Sequence, residues 1–143
     1  MRSRIPQQEL DLLRRVPIFE QCSKRELREI AKIGTRFDVP AGTELTSEGS
    51  AGVQSFLLIE GQADCAVRGV TVAALGPGDL FGELSLIDGG PRSATVTAVT
   101  PLTVTVLNVY EFHHLLRAAP SIALKLLATL AGRIRDAQAS AVY

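Results

Sequence analysis

The chain has 143 residues, 46% of them hydrophobic, which is enough for one domain with a single core. Its 15 basic and 15 acidic residues cancel, so the net charge favours neither nucleic acid nor anionic lipid as a direct partner. No apolar stretch approaches the roughly 18 residues of a membrane span and the first residues lack a signal-peptide core, so we expect a cytoplasmic protein without a membrane span.

An N-terminal helical segment is predicted at about residues 9–33. In the stretch SKRE, Ser23 can accept a hydrogen bond from the first helical turn and Glu26 can reach back, which together form a capping box. A helix at about 23–33 follows from this signal. An earlier helix ends near Pro17, because the residue before a proline disfavours helical geometry.

The segment of about 35–108 is predicted to form a β-roll. Short runs rich in β-branched residues, such as QSFLLIE and VTVAAL, alternate with turns that contain glycine. The later run LTVTVLN alternates apolar residues with threonine, which is the period of a strand with one buried face. About eight short strands fit into this segment.

Two C-terminal helices are predicted at about 109–139, separated by Pro120. The second carries apolar residues at a spacing of four, namely Ile122, Leu126, Leu130 and Ile134. Ser23 and Ser121 are interpreted as helix caps. Since no repeat, low-complexity tract or long linker interrupts the sequence, we predict a single domain over residues 1–143.

Catalytic and metal-binding groups are not predicted. Cys22 and Cys65 lie far apart without a C-x-x-C motif, which argues against a disulfide framework or a structural zinc site. The two histidines, His113 and His114, are adjacent on a predicted helix and would point about 100° apart. No predicted strand carries a histidine, which disfavours a cupin-type metalloenzyme, and no serine is paired with a base. We therefore predict that the protein is not an enzyme.

The stretch FGELSLIDGGPRSA, residues 81–94, carries the candidate binding chemistry. If GELSLI forms a short helix, its first N–H groups lack intrahelical partners and can bind an anion, and Gly82 permits close approach of the backbone. Arg92 supplies a planar fork suited to phosphate oxygens, while Ser93 and the N–H of Ala94 add donors. These residues together predict a phosphate site.

Glu83 would be misplaced beside a phosphate unless its carboxylate accepts hydrogen bonds from a neutral group on the same ligand. A ribose hydroxyl is the obvious candidate. The acid and the base can then bind two ends of one sugar phosphate. Phe81 and Leu84 are interpreted as core residues rather than ligand contacts.

This stretch resembles the phosphate-binding cassette of the cyclic-nucleotide-binding domain family, the module of the catabolite activator protein, protein kinase A regulatory subunits and cyclic-nucleotide-gated channels. The matching motifs are Phe81-Gly82-Glu83, Leu84-Ser85-Leu86 and Arg92-Ser93-Ala94. Similarity in the flanking glycines extends the resemblance over roughly residues 15–138. It implies a mainly β fold, an eight-stranded jelly-roll-like β-roll with a short N-terminal helical segment, two C-terminal helices and the cassette at residues 81–96.

The resemblance also implies a role for each cassette residue. Glu83 would hold the ribose 2′-hydroxyl and Arg92 would pair with the cyclic phosphate. Backbone or hydroxyl donors would come from Gly82, Leu84, Ser93 and Ala94. Relatives that favour cGMP commonly have threonine after the cassette arginine, where this chain has a serine, so we predict cAMP as the ligand with cGMP binding more weakly and no further cofactor.

The C-terminal helix is implied to carry the output of such a regulatory domain. In the family it closes over the base and often moves or dimerises, which makes Leu130, Arg133, Ile134 and Arg135 candidates for a base lid. The partner through this helix would be a second copy of the chain or an effector protein. Two alternatives stay open: a nucleotide-independent interaction module with the same fold, and a sensor fragment of a longer transcription factor, channel or acyltransferase.

Overall fold

The structure is a computed structural model that describes residues 7–141, leaving out the side chains of Glu83, Leu84 and Ala141. Its helices are α1 (Gln7–Arg15), a 3-10 turn (Pro17–Phe19), α2 (Lys24–Lys32), α3 (Glu83–Asp88), α4 (Val109–Ala118) and α5 (Pro120–Ala141). Its strands are β1 (Thr35–Val39), β2 (Glu44–Thr46), β3 (Gln54–Glu60), β4 (Ala63–Val67), β5 (Val70–Leu75), β6 (Leu80–Phe81), β7 (Thr95–Ala98) and β8 (Leu102–Asn108).

The eight strands form two antiparallel four-stranded sheets, in the orders β1-β8-β3-β6 and β2-β7-β4-β5. Strand β3 is buried on both faces, because its side chains alternate between two apolar clusters. Phe56 and Leu58 pack between the sheets, whereas Leu57 and Ile59 pack under the helices. The predicted mainly β roll of eight strands with flanking helices is confirmed.

The N-terminal helices are attached to the roll and capped as their sequence indicates. The hydroxyl of Ser23 accepts a hydrogen bond from the Glu26 N–H at 3.2 Å, and the Glu26 carboxylate accepts one from the Ser23 N–H at 2.8 Å. The capping box is therefore confirmed. Helix α1 is held by the buried carboxylate of Glu9, which accepts a hydrogen bond from the Thr105 hydroxyl of β8 at 2.8 Å.

Helix α5 docks on α2 through a polar contact that the sequence did not reveal. Pro120 occupies its first position, where a missing N–H costs nothing. Ser121 lies inside this helix and its hydroxyl donates to Glu26 at 2.7 Å, so its interpretation as a helix cap was wrong. Lys125 donates to the same carboxylate. Partial desolvation raises the pKa of Glu26, but the hydrogen bonds from Lys125, Ser121 and Ser23 outweigh it and lower the pKa to about 2.

The two halves of α5 differ in what surrounds them. In the first half, Ile122 and Leu126 are buried in the helical cluster, whereas residues 133–140 are all exposed. Within residues 7–141 no single helix is long and apolar enough to cross a membrane. Helices α4 and α5 have the length and apolar composition of a membrane span only when they are taken together, and the chain bends by 110° between them.

Candidate ligand-binding site

A cavity of about 190 Å³ lies between the cassette and the inner face of the second sheet. Four of the predicted ligand residues line it, namely Gly82, Arg92, Ser93 and Ala94. The opposite wall includes Cys65 from β4, Leu75 from β5 and Val96 from β7. The cavity thus has one polar wall of cassette residues and one mainly apolar wall.

Gly82 is required at the start of α3 for two independent reasons. Its φ of 75° lies in the left-handed region, which side chains rarely adopt. A Cβ at this position would also lie 2.4 Å from Nη1 of Arg92 and 3.2 Å from the Gln54 carbonyl oxygen. Gly82 therefore lets the guanidinium pack directly on the backbone at the helix start.

Arg92 is the buried cation of the site, and the residue is only 8% exposed. Burial lowers the pKa of its guanidinium. Among the described residues, Nη1 is buried and has no hydrogen-bond partner, and Cζ lies 5.9 Å from the centroid of the Phe56 ring. A buried charged donor without a partner is costly unless another group supplies the acceptor. An anion in the cavity would be one such acceptor.

The backbone around Arg92 is held in place from both sides. The Arg92 N–H donates to the Ser50 carbonyl, and the Gly49 N–H donates to the Arg92 carbonyl, each at 2.8 Å. Phe56 is itself stacked on Phe81, with ring centroids 5.1 Å apart. Because these partners come from the loop before β3, from β3 itself and from β6, the guanidinium is positioned before any ligand arrives.

Ser93 and Ala94 follow Arg92 into β7 and differ in exposure, since the serine is exposed and the alanine half-buried. The hydroxyl of Thr46 donates to the Ala94 carbonyl at 3.0 Å and accepts from the Val96 N–H at 3.1 Å. This buried threonine fixes the first residues of the strand against β2. The backbone that follows Ser93 is therefore held in place by β2.

The remaining predicted site residues are Glu83, Leu84 and the four candidates for a base lid. Helix α3 begins at Glu83, directly after Gly82 of the cavity lining, but the side chains of Glu83 and Leu84 are outside the described residues and their roles remain predictions. None of the four lid candidates lines the cavity. Leu130 packs on the helical cluster, Arg133 lines a separate cleft with Arg15 and Asp79, and Ile134 and Arg135 are exposed.

Several contributions to the site were missed from the sequence, among them those of Cys65 and His113. Cys65 lines the cavity, although its distance from Cys22 only argued against a disulfide or a zinc site. The alternation of Ala63 and Cys65 along β4 could have placed both on the inner face. Nε2–H of His113 donates to the Ile87 carbonyl at 2.7 Å and ties α4 to the end of α3. No local signal marks that contact, since the two residues are brought together only by helix packing.

Comparison with known proteins places this geometry in a family. A family model described as the cyclic nucleotide-binding domain matches residues 36–119, more than half of the chain. The chain belongs to the cyclic nucleotide-binding domain family.

Its relatives use this domain in several contexts. The chain is 38% identical over 112 residues to a cyclic nucleotide-gated potassium channel of Rhizobium etli, covering 78% of this chain and 31% of the channel. It resembles the N-terminal domain of a transcriptional regulator from Streptomyces coelicolor A3(2), with a TM-score of 0.83, 32% identity and coverage of 89% and 94% of the two chains. The regulatory domain of Toxoplasma gondii PKA with cAMP gives a TM-score of 0.69 and 30% identity, covering 75% of this chain and 42% of that one. The chain thus spans about a third of the channel and less than half of the PKA domain.

Proposed function

We propose that this chain is a cytoplasmic regulatory domain that binds cAMP and transmits occupancy through α5, rather than an enzyme. The observation that carries the proposal is the buried guanidinium of Arg92, whose Nη1 faces Gly82 without a hydrogen-bond partner among the described residues. The family match and the cAMP complex of the Toxoplasma gondii relative support the choice of ligand.

The phosphate of cAMP would lie between Arg92 and the start of α3. Its oxygens accept hydrogen bonds from the guanidinium and from first-turn N–H groups, which lack intrahelical partners. Ser93 and Ala94, which line the same cavity, add a hydroxyl and an N–H. The charge of the phosphate would compensate the desolvated guanidinium, which makes this contact the main source of affinity.

The rest of the nucleotide would distinguish cAMP from other phosphates. The Glu83 carboxylate would accept a hydrogen bond from the ribose 2′-hydroxyl, and the base would lie towards the apolar wall. We propose that cGMP binds more weakly, because Ser93 keeps the hydroxyl that meets guanine in relatives favouring cGMP but lacks the methyl that holds a threonine rotamer.

The output would be a change in the position of α5. The first half of this helix is fixed by Ile122, Leu126 and the Glu26 contact, whereas its second half is exposed. We propose that cAMP favours a conformation in which residues 121–138 fold over the cavity and bring Arg133 or Arg135 near the base. A ligand moves such an equilibrium only by its difference in affinity for the two states.

The partner of α5 would be a second copy of the chain. Leu124, Leu127 and Ile134 are 67%, 61% and 59% exposed, and their spacings of three and seven residues follow the heptad repeat of paired helices. In this arrangement the exposed face of α5 that carries these three residues is covered in the dimer. Sedimentation of the wild type and of a Leu124→Glu, Leu127→Glu variant tests the proposal, and a monomeric wild type with unchanged variant mass would instead favour an effector protein.

Calorimetric titration with cAMP, cGMP and 5′-AMP tests the ligand. We expect saturable binding of cAMP, weaker binding of cGMP and little binding of 5′-AMP. The phosphate of 5′-AMP carries more negative charge and does not form a ring with the ribose. Absence of binding by all three would overturn the proposal in favour of a nucleotide-independent interaction module. Equal or tighter binding of cGMP would overturn only the nucleotide choice.

A further inference from the structure

The apolar wall of the cavity contains a thiol. Cys65 lies in the middle of β4, where it pairs with Val96 of β7 on one side and Ala73 of β5 on the other. Its side chain is half-buried, packs on the cluster between the sheets and lines the cavity. The strand alternation that buries Ala63 completely therefore points Cys65 to the same interior.

A second observation marks this cavity as a ligand site independently of the thiol. Arg92 lines it, is 8% exposed and carries a buried Nη1 that has no partner among the described residues. The volume of about 190 Å³ is more than ten times the roughly 10–15 Å³ that one water needs. A small molecule therefore fits in the cavity, and any group attached to Cys65 would occupy space that the ligand needs.

The second cysteine of the chain offers an internal control. Cys22 is half-buried against the helical cluster and lines no part of this cavity. Burial and the negative charge of Glu26 raise the pKa of its thiol to about 11, against the opposing effect of Lys125. The Cys22 thiol is therefore almost entirely protonated at pH 7.5, whereas the thiolate is the nucleophile.

We propose that Cys65 is a covalent modification site for small α,β-unsaturated carbonyl compounds, and that its adduct and the cyclic nucleotide exclude one another from the cavity. This inference rests on the proposed function, because it assigns a means of regulation to the same site. The cell would thereby have an electrophile-sensitive block on a nucleotide-sensing domain.

The reaction balances without an oxidant or reductant. The Cys65 thiol loses its proton to solvent, and its sulfur adds to the β-carbon of the alkene to form the C–S bond. The electron pair of the C=C bond moves to the carbon beside the carbonyl, which then takes a proton from solvent. Nothing leaves, and the product is a stable thioether in the cavity wall.

N-ethylmaleimide is the probe for the test. The intact chain is treated at pH 7.5 with and without saturating cAMP, and the modified peptides are quantified by mass spectrometry. We expect Cys65 to react at least tenfold faster than Cys22, and cAMP to slow Cys65 at least tenfold while leaving Cys22 unchanged. In calorimetry, N-ethylmaleimide should lower the cAMP affinity of the Cys22→Ser variant at least tenfold. The same treatment should leave the cAMP affinity of the Cys65→Ser variant unchanged.

The outcomes separate the two proposals. If the untreated protein binds cAMP but Cys65 reacts equally fast with and without it, the modification site is wrong and the proposed function stands. If Cys65 reacts no faster than Cys22, or its adduct binds cAMP as well as before, the modification site is again wrong. If the untreated protein binds no cyclic nucleotide, both proposals fail together.

Discussion

Replacing Arg92 by methionine should have opposite effects on stability and on ligand binding. Arg92 is 8% exposed as a residue, and Nη1 of its guanidinium lacks a partner among the described residues. Leaving such a donor unsatisfied destabilises the folded protein by about 1–3 kcal/mol. The contact between the guanidinium and the Phe56 ring stabilises it by roughly 0.5–2 kcal/mol. Methionine retains apolar packing without the buried charge. We therefore expect Arg92→Met to stabilise the free protein by about 1 kcal/mol, or roughly 3 °C in Tm.

The same change should remove most of the stabilisation by cAMP. Loss of one partner of a desolvated charge pair costs about 2–5 kcal/mol, which is a decrease in affinity of roughly 30-fold or more. At a cAMP concentration 100 times the wild-type Kd, the ligand stabilises wild type by about 2.7 kcal/mol. A 30-fold weaker variant retains about 0.9 kcal/mol, so the cAMP-induced rise in Tm should fall from roughly 9 °C to roughly 3 °C.

Thermal denaturation with and without cAMP, together with calorimetry, measures both effects. Arg36→Met is the matched control, since Arg36 is exposed on β1 outside the cavity, and it should change neither quantity. A fall of several degrees in the Tm of free Arg92→Met would refute the claim that the guanidinium is uncompensated. Affinity within a few-fold of wild type would refute its assignment to the phosphate.

Three further predictions concern single residues. Glu83→Ala should erase the preference for cAMP over 2′-deoxy-cAMP in competition binding, because the carboxylate is the proposed acceptor for that hydroxyl. Gly82→Ala should weaken cAMP binding at least tenfold in calorimetry, because its Cβ would displace Nη1 of Arg92 from a position 2.4 Å away. Glu26→Gln should lower the free energy of unfolding at pH 7 by about 1.5–3 kcal/mol in urea titrations, because three donors lose a charged acceptor. Folding lowers the pKa of Glu26 from 4.5 to about 2. Its carboxylate therefore contributes fully to the free energy of unfolding above pH 4.5, and this contribution is lost as the pH falls towards 2. The stability of Glu26→Gln should accordingly decrease less than that of wild type over this pH range.

Each of these has a control in the same chain. An equal penalty for 2′-deoxy-cAMP in wild type and Glu83→Ala would remove this carboxylate from the site. Gly42→Ala introduces a side chain at a φ of 87° with no neighbour within 4 Å, so it should destabilise the fold while preserving affinity, and an equal loss of binding would contradict the local explanation for Gly82. Glu29 is 43% exposed in its pair with Lys32, so Glu29→Gln should change stability by less than about 1 kcal/mol. If Glu26→Gln has no larger effect, the α2–α5 contact is not stabilising.

The sequence alone determined what depends on neighbours along the chain. The capping box of Ser23 and Glu26 closes within one helical turn, and the strand and helix segments follow from periods of two and about four residues. The cassette could also be recognised, because Gly82 and Arg92 lie within one short stretch whose glycines mark the backbone turns. These features were predictable because their partners are a few residues away.

Only the tertiary structure decided which distant residues meet. Cys65 joins the cavity wall through the register of β4 against β7, 31 residues further along the chain. Ser121 became a hydrogen-bond donor to Glu26 rather than a cap because α5 packs across α2. The lid candidates on α5 have a helical period that equally fits packing on the roll, on a nucleotide or on another helix. Periodicity specifies which face of a helix is apolar but not what covers it, and that choice is made by the packing of the whole domain.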